Sequence, residues 1–218
     1  PNNFMDLKKR LFGWVDDNYD KVFLAVLAIA FIIRIWIFIK TNQQPIWWDA
    51  ADYLSTAKRW GLGLDVRDIW YYRRGFLWTL IGAGFFKIGL GEISIRFSEV
   101  LFSTGIVATS YFLIKTMFNK KLALLSSIGL TASWILLFFT GRPLTSIPAT
   151  FFLLLALLFF WKGYVLKQNY KFLYLFAIFY ALAILIRMQY LLFALPFLVM
   201  MFSKEKFHFL KNKKIWIA

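Results

Sequence analysis

The chain has 218 residues, of which 61% are hydrophobic and 21% aromatic, and it carries a formal net charge of +15 with no cysteine. Soluble domains are roughly half apolar, so the composition excludes an ordinary soluble fold, and the missing cysteines exclude disulfides and thiolate metal sites. The single histidine, His208, leaves zinc sites and histidine-based triads without ligands, and the lysines fall in short clusters between apolar runs, which is the pattern of loops facing anionic lipid and not of a nucleic-acid surface.

Residues 1–21 set Lys8, Lys9 and Arg10 beside Leu7, Leu11, Phe12, Trp14 and Val15. This amphipathic stretch suits the inner membrane interface and places the N-terminus inside. The apolar run from Val22 to Ile39 is long enough to cross, and no small-residue cleavage site follows, so a first uncleaved span is predicted over 22–40. The polar run Thr41-Asn42-Gln43-Gln44-Pro45 ends it.

A large outer loop, 41–95, comes next. Six of the eleven acidic residues lie between Asp49 and Glu99, and none lies from Val100 to Lys204. A short interfacial helix is predicted from Asp49, its cap, to Trp60, with Asp49, Asp52, Tyr53 and Thr56 on one face. Trp47-Trp48 anchor it at the headgroup level, which holds Asp49 at the depth of a lipid phosphate. Asp65 and Asp68 read as turn residues in a Gly-rich loop. Arg73-Arg74 lead into a second surface helix, because Phe76–Leu90 has fifteen residues, three glycines and Lys87 and at about 1.5 Å per residue falls short of a ~30 Å hydrocarbon core. Glu92, Arg96 and Glu99 share a helical face and are expected to neutralise one another, with Glu99 also a partner for the intramembrane Arg34.

The remaining spans are predicted over 96–117, 122–140, 147–163, 172–186 and 188–202, with Pro196 kinking the last and a further apolar start at Ile215. The fold class is therefore an all-α polytopic membrane bundle of about six to seven transmembrane helices with two interfacial helices in the first outer loop. It forms a single module, 1–218, with its helix bundle over 96–218, and is expected to be the N-terminal part of a longer protein. The positive-inside rule places the lysines near positions 120, 162–171 and 204–214 inside. Of the thirteen basic residues after position 100, the two arginines, Arg142 and Arg187, then fall at outer turns, where a planar guanidinium can grip phosphate with two parallel hydrogen bonds.

Three stretches carry a family resemblance: WWDAADYLSTAKRWG, YYRRGFLWTLIGAGFFKIGLGEISIRFSEVLFS and MFNKKLALLSSIGLTASWILLFFTGRPLTSIPATFFLLLALLFF. In order and spacing, over roughly residues 45 to 160, the chain resembles the N-terminal membrane module of GT-C glycosyltransferases, in the branch of protein O-mannosyltransferases and lipid A aminoarabinose transferases. The resemblance implies inverting transfer of a sugar from a polyprenyl-phosphate donor to an acceptor hydroxyl on a protein, lipid or glycan, at a site facing the outside or the lumen of a cell or endoplasmic-reticulum membrane. Asp49 matches the family's loop aspartate and would deprotonate the acceptor or help hold a divalent cation, Mg²⁺ or Mn²⁺. Arg73 or Arg74 stands near the family's phosphate-binding basic residue, and Arg96 matches the arginine after the second surface helix. Asp49 is thus the candidate catalytic residue, with Asp52, Tyr53, Arg73, Arg74, Arg96, Arg142 and Arg187 as candidate substrate-binding residues. Two positions depart from the pattern: Ala50 replaces the second acid of an Asp-Glu pair, and Ser146 stands where many members have aspartate. The alternatives are a noncatalytic lipid-binding or assembly subunit that keeps the fold, and a transporter.

Overall fold

The computed structural model describes residues 13–64 and 75–206. Nine α-helices are labelled here: α1 Tyr19–Thr41, α2 Trp48–Gly61, α3 Leu77–Lys87, α4 Gly91–Met117, α5 Lys120–Thr131, α6 Trp134–Phe139, α7 Ser146–Phe160, α8 Lys171–Ile186 and α9 Ala194–Glu205. A π-helical turn, Trp161–Val165, extends α7, and a 3₁₀ segment, Met188–Phe193, precedes α9. No strand occurs among the described residues.

Among the described residues three helices are long and apolar enough to cross a membrane: Tyr19–Thr41, Gly91–Met117 and Ser146–Val165. α4 is central, packing against α1, α3, α5 and α7. α1 is peripheral and buries only Phe23, Ala30 and Arg34, while Leu24, Ile32, Trp36 and Ile39 are exposed. Side chains of that kind are stable outside a protein core only where hydrocarbon replaces water.

Polar contacts at the two ends of α1 fix its antiparallel register with α4. At one end Asp20 accepts hydrogen bonds from Tyr111 Oη at 2.7 Å, Lys115 Nζ at 2.5 Å and Lys120 Nζ at 3.1 Å, and Phe23 stacks on Tyr111 with ring centroids 3.8 Å apart. At the other end Arg96 donates to the carbonyls of Thr41 and Gln44. The interval between these ends is apolar apart from the Arg34 contacts described next.

The predicted span 122–140 is broken. Asn119 caps α5 by accepting the Leu122 amide at 2.9 Å, but α5 stops at Thr131 and α6 begins at Trp134 after an extended Ser133. A break at membrane depth needs buried partners for its freed backbone groups, and Arg34 supplies one by donating from Nη2 to the Leu130 carbonyl at 3.2 Å. This corrects the expected Arg34–Glu99 pairing: Arg34 donates to Ser103 Oγ at 2.7 Å, the Ala30 carbonyl at 3.0 Å and Leu130. Both Glu99 carboxyl oxygens are enclosed without a hydrogen-bond partner among the described residues. The nearby Leu144 amide is turned to the Arg142 carbonyl at 2.7 Å.

α7 and α8 form a phenylalanine-lined hairpin in which Phe152 and Phe159 both stack on Phe179. The chain turns at Arg187, and Phe160, Phe176 and Phe197 bring α9 against the pair. Lys167 and Glu205 close its far end at 3.0 Å. Pro196 falls in the first turn of α9, after the 3₁₀ segment, so the expected mid-span kink is a helix start. Helix α3 has 11 residues, about 16 Å, and packs against α2 through small residues: a Cβ on Gly82 would lie 2.9 Å from that of Ala57, and one on Gly61 only 2.5 Å from the Ala83 carbonyl oxygen.

Candidate functional site

Four connections converge at the end of the bundle marked by Arg96: the α1–α2 loop, the start of α4, the turn 140–145 and the α8–3₁₀ junction. The entry to α2 is unusual. Trp47 is extended and Trp48 takes φ +55°, a left-handed conformation that is strained for a bulky side chain. Both indoles are exposed, Trp48 by 89%. Helix α2 starts one residue earlier than predicted, so Asp49 is not its cap but lies in its first turn, where the helix dipole favours a carboxylate.

The expected common face of α2 divides. Asp49 and Asp52 are exposed, whereas Tyr53 and Thr56 join Ala50 and Ala57 on the buried face. Packing explains this, because α3 approaches so closely that the apolar and small residues must face it. Tyr53 belongs to a cluster with Trp78, Ile95, Ala149 and Ile186, directly beneath this end of the bundle.

Arg96 is 5% exposed. Its Nε donates to Glu92 Oε1 at 2.7 Å and its Nη2 to the Gln44 carbonyl at 2.9 Å, with a longer bond of 3.3 Å from Nη1 to the Thr41 carbonyl. It therefore clamps the end of α1 to the start of α4. The opposite holds for Arg142. Its guanidinium lies 3.6 Å from the centroid of the Phe138 ring and donates no side-chain hydrogen bond to any described residue. Partial burial lowers its pKa, which still leaves an arginine charged at physiological pH. Gly141, at φ +82°, makes the turn that carries it and passes over Phe38 and Thr41.

Arg96 and Arg142 line one small cavity with Thr41, Gln44, Trp47 and Pro143. It holds about 30 Å³, room for a water or two. Beside it a groove of about 620 Å³ runs along the α1–α2 loop past Ser55, Lys58, Glu92 and Arg96. Arg187 lies across the 140–146 segment, its Nη1 donating to Ser146 Oγ, and Gly75 abuts the Ile186 carbonyl so closely that no Cβ fits. Arg73 and Arg74, together with Asp65 and Asp68, lie outside the described residues.

A comparison with known families adds to this constellation. The dolichyl-phosphate-mannose-protein mannosyltransferase family matches residues 74–218. The chain belongs to this family. Its membership makes it a membrane glycosyltransferase-family protein whose donor class is a dolichyl-phosphate-linked sugar. The matched stretch contains Arg74, Arg96, Arg142, Ser146 and Arg187 and begins after Asp49, Asp52, Tyr53 and Arg73. No curated protein and no solved structure gives a significant match.

No group of three or more acidic, His or Cys side chains that could by itself hold Mg²⁺ or Mn²⁺ occurs among the described residues, so such an ion would take phosphate oxygens and water beside one or two carboxylates. The Ser146 hydroxyl, at the position where many family members have aspartate, accepts a hydrogen bond from the Arg187 guanidinium, whose charge opposes a cation. Sequence reasoning also missed three supports of the site: Phe138 under Arg142, and the hydroxyls of Ser103 and Thr140 joined at 3.0 Å. Neither was readable: Arg142 follows an extended Thr140 and a left-handed Gly141, so helical spacing does not govern its contact with Phe138, and the Ser103–Thr140 pairing is a tertiary contact with no local signature.

Proposed function

We propose that the Arg96 end is the transfer site, that Arg142 and Arg187 receive the phosphate of a polyprenyl-phosphate sugar, and that Asp49 is the base. The acceptor hydroxyl oxygen attacks the anomeric carbon from the face opposite the phosphate, the carbon–oxygen bond to phosphate breaks with inversion, and the hydroxyl proton passes to the Asp49 carboxylate. Polyprenyl phosphate leaves carrying the bond electrons, stabilised by fixed cations in a site of low water content. The acceptor is a hydroxyl of a protein, lipid or glycan. The chain crosses the membrane several times, and the Arg96 end faces the outside or the lumen, because the lysines of the opposite end, Lys115, Lys120 and Lys167, mark the cytoplasmic side.

The observation that carries this reading is the guanidinium of Arg142, which lies 3.6 Å from the Phe138 ring centroid, lines the cavity, and donates no side-chain hydrogen bond to any described residue. A noncatalytic lipid-binding role draws support from one feature, the Arg187–Ser146 contact at a position where an acid would serve a metal-assisted enzyme. Sugar transfer from dolichyl-phosphate mannose and other polyprenyl-phosphate sugars, assayed in membranes with wild type and Asp49→Asn, separates the two. Transfer by wild type that is lost in Asp49→Asn, and that persists in EDTA, is expected. Equal activity of the two forms removes Asp49 as base, and a wild type silent toward the whole donor panel favours the noncatalytic role.

A further inference from the structure

Arg34 is not among the residues that line the cavity, is completely buried in α1, and has no carboxylate among its hydrogen-bond partners. A guanidinium at membrane depth is costly unless its donors are filled, so what fills them identifies its role. One partner, the Leu130 carbonyl, is on the α5 side of the helix break. Another, Ser103 Oγ, accepts from Arg34 Nε at 2.7 Å and is hydrogen-bonded at 3.0 Å to Thr140 Oγ1, whose own proton goes to the Leu136 carbonyl at 2.7 Å. Thr140 closes α6 and immediately precedes the Gly141-Arg142 turn. Arg34 therefore bridges the break, holding α5 directly and the end of α6 through one serine.

We infer that Arg34 is a positioning residue for donor binding: through Ser103 and Thr140 it sets the place of the turn that presents Arg142 to the donor phosphate. The broken helix makes such a brace necessary. With Ala132 and Ser133 outside both helices and Ser133 extended, the intrahelical ladder cannot transmit position from the α5 anchor to Arg142, and α6 has only 6 residues. Gly141 adds freedom immediately before the arginine. Removing the brace leaves Phe138 and Arg142 stacked, since they share one local segment, but lets that segment shift against α1 and α4.

This inference rests on Arg142 as the phosphate ligand, and the experiment is arranged so that the two can fail separately. Donor KM, acceptor KM and kcat are measured for the full chain in membranes with Arg34→Leu, Ser103→Ala, Arg142→Leu, and Ser103→Ala combined with Arg142→Leu. Ser103→Ala removes only one hydroxyl and keeps the test alive if Arg34→Leu fails to insert. The expected result is a rise of about tenfold in donor KM for Ser103→Ala, the size of one hydrogen bond to a charged group, with acceptor KM unchanged. The rise vanishes when Arg142 is already leucine, because the brace then has nothing to position. Arg34→Lys, which can still reach Ser103, restores part of the loss seen in Arg34→Leu. Unchanged donor KM in Ser103→Ala, or a rise that persists undiminished in the double variant, overturns the positioning role. An unchanged donor KM in Arg142→Leu overturns the phosphate assignment instead.

Discussion

Arg96 and Arg142 border the same cavity, and their surroundings predict opposite consequences for their loss. Replacing Arg96 by Met removes a bond of 2.9 Å to the Gln44 carbonyl, one of 3.3 Å to the Thr41 carbonyl, and the contact with Glu92 at 2.7 Å. Hydrogen bonds from a charged donor contribute about 1.5–3 kcal/mol each. The bond to Thr41 is long and the Glu92 side chain is 44% exposed, so water replaces part of what is lost and the pair itself counts for ~1 kcal/mol or less. The net cost is about 2–4 kcal/mol, which for a chain of this length lowers the melting temperature by on the order of 10 °C. Arg142→Leu loses only its stacking on Phe138, about 0.5–2 kcal/mol. Thermal unfolding in detergent, followed by tryptophan fluorescence, should therefore show a large shift for Arg96→Met and a small one for Arg142→Leu. If Arg96→Met melts within a degree or two of wild type, the clamp described here does not hold α1 to α4, and Arg96 is available to substrate after all.

Two further outcomes follow from the packing and the topology. Gly61→Ala forces a Cβ to within 2.5 Å of the Ala83 carbonyl oxygen and 2.7 Å of the Phe86 Cβ and should destabilise the α2–α3 pair by about 1–3 kcal/mol, whereas Gly84→Ala, with nothing within 4 Å, should be neutral or stabilise by about 0.5–1 kcal/mol through helix propensity; melting curves distinguish them. Because the natural chain has no cysteine, single cysteines at Gln43, Asn119 and Asn169 report sidedness cleanly: an impermeant thiol reagent applied to sealed vesicles should label positions 119 and 169 from one side and 43 from the other, and labelling of 43 together with 119 would invert the proposed orientation.

Much of the helix bundle was legible because a membrane makes the sequence code coarse. Apolar runs end where a polar group can reach water, so Lys40-Thr41, Met117 before Asn119, and Ile186 before Arg187 marked boundaries to within a few residues. The break at Ala132-Ser133 was not legible, since neither residue is a helix breaker and the contact that stabilises it comes from Arg34, 96 positions away. The same limitation produced the Arg34–Glu99 expectation: opposite charges at compatible depth suggest a pair, but a guanidinium has five donors, and two carbonyls with a hydroxyl satisfied it without placing a second ion in hydrocarbon. On α2, periodicity put Asp49, Asp52, Tyr53 and Thr56 on one face, but it could not anticipate that the close approach of α3 would bury Tyr53 and Thr56 and leave the carboxylates outside.

The four described bundle arginines also show why proximity to a cavity is a poor guide to ligand binding. A phosphodiester offers two non-bridging oxygens, and a guanidinium engages both only if one of its edges has two adjacent N–H groups uncommitted. Arg34 and Arg96 spend their edges on backbone carbonyls and neighbouring side chains. Arg187 has committed Nη1 to Ser146, which steadies it while leaving other N–H groups for a ligand. Arg142 alone of the four has no side-chain hydrogen bond to a described residue, its guanidinium lying instead 3.6 Å from the Phe138 ring centroid. A contact with a ring consumes no N–H donor, so on the proposed reading Arg142 keeps a two-donor edge for a phosphate, and Phe138 is a support of that edge.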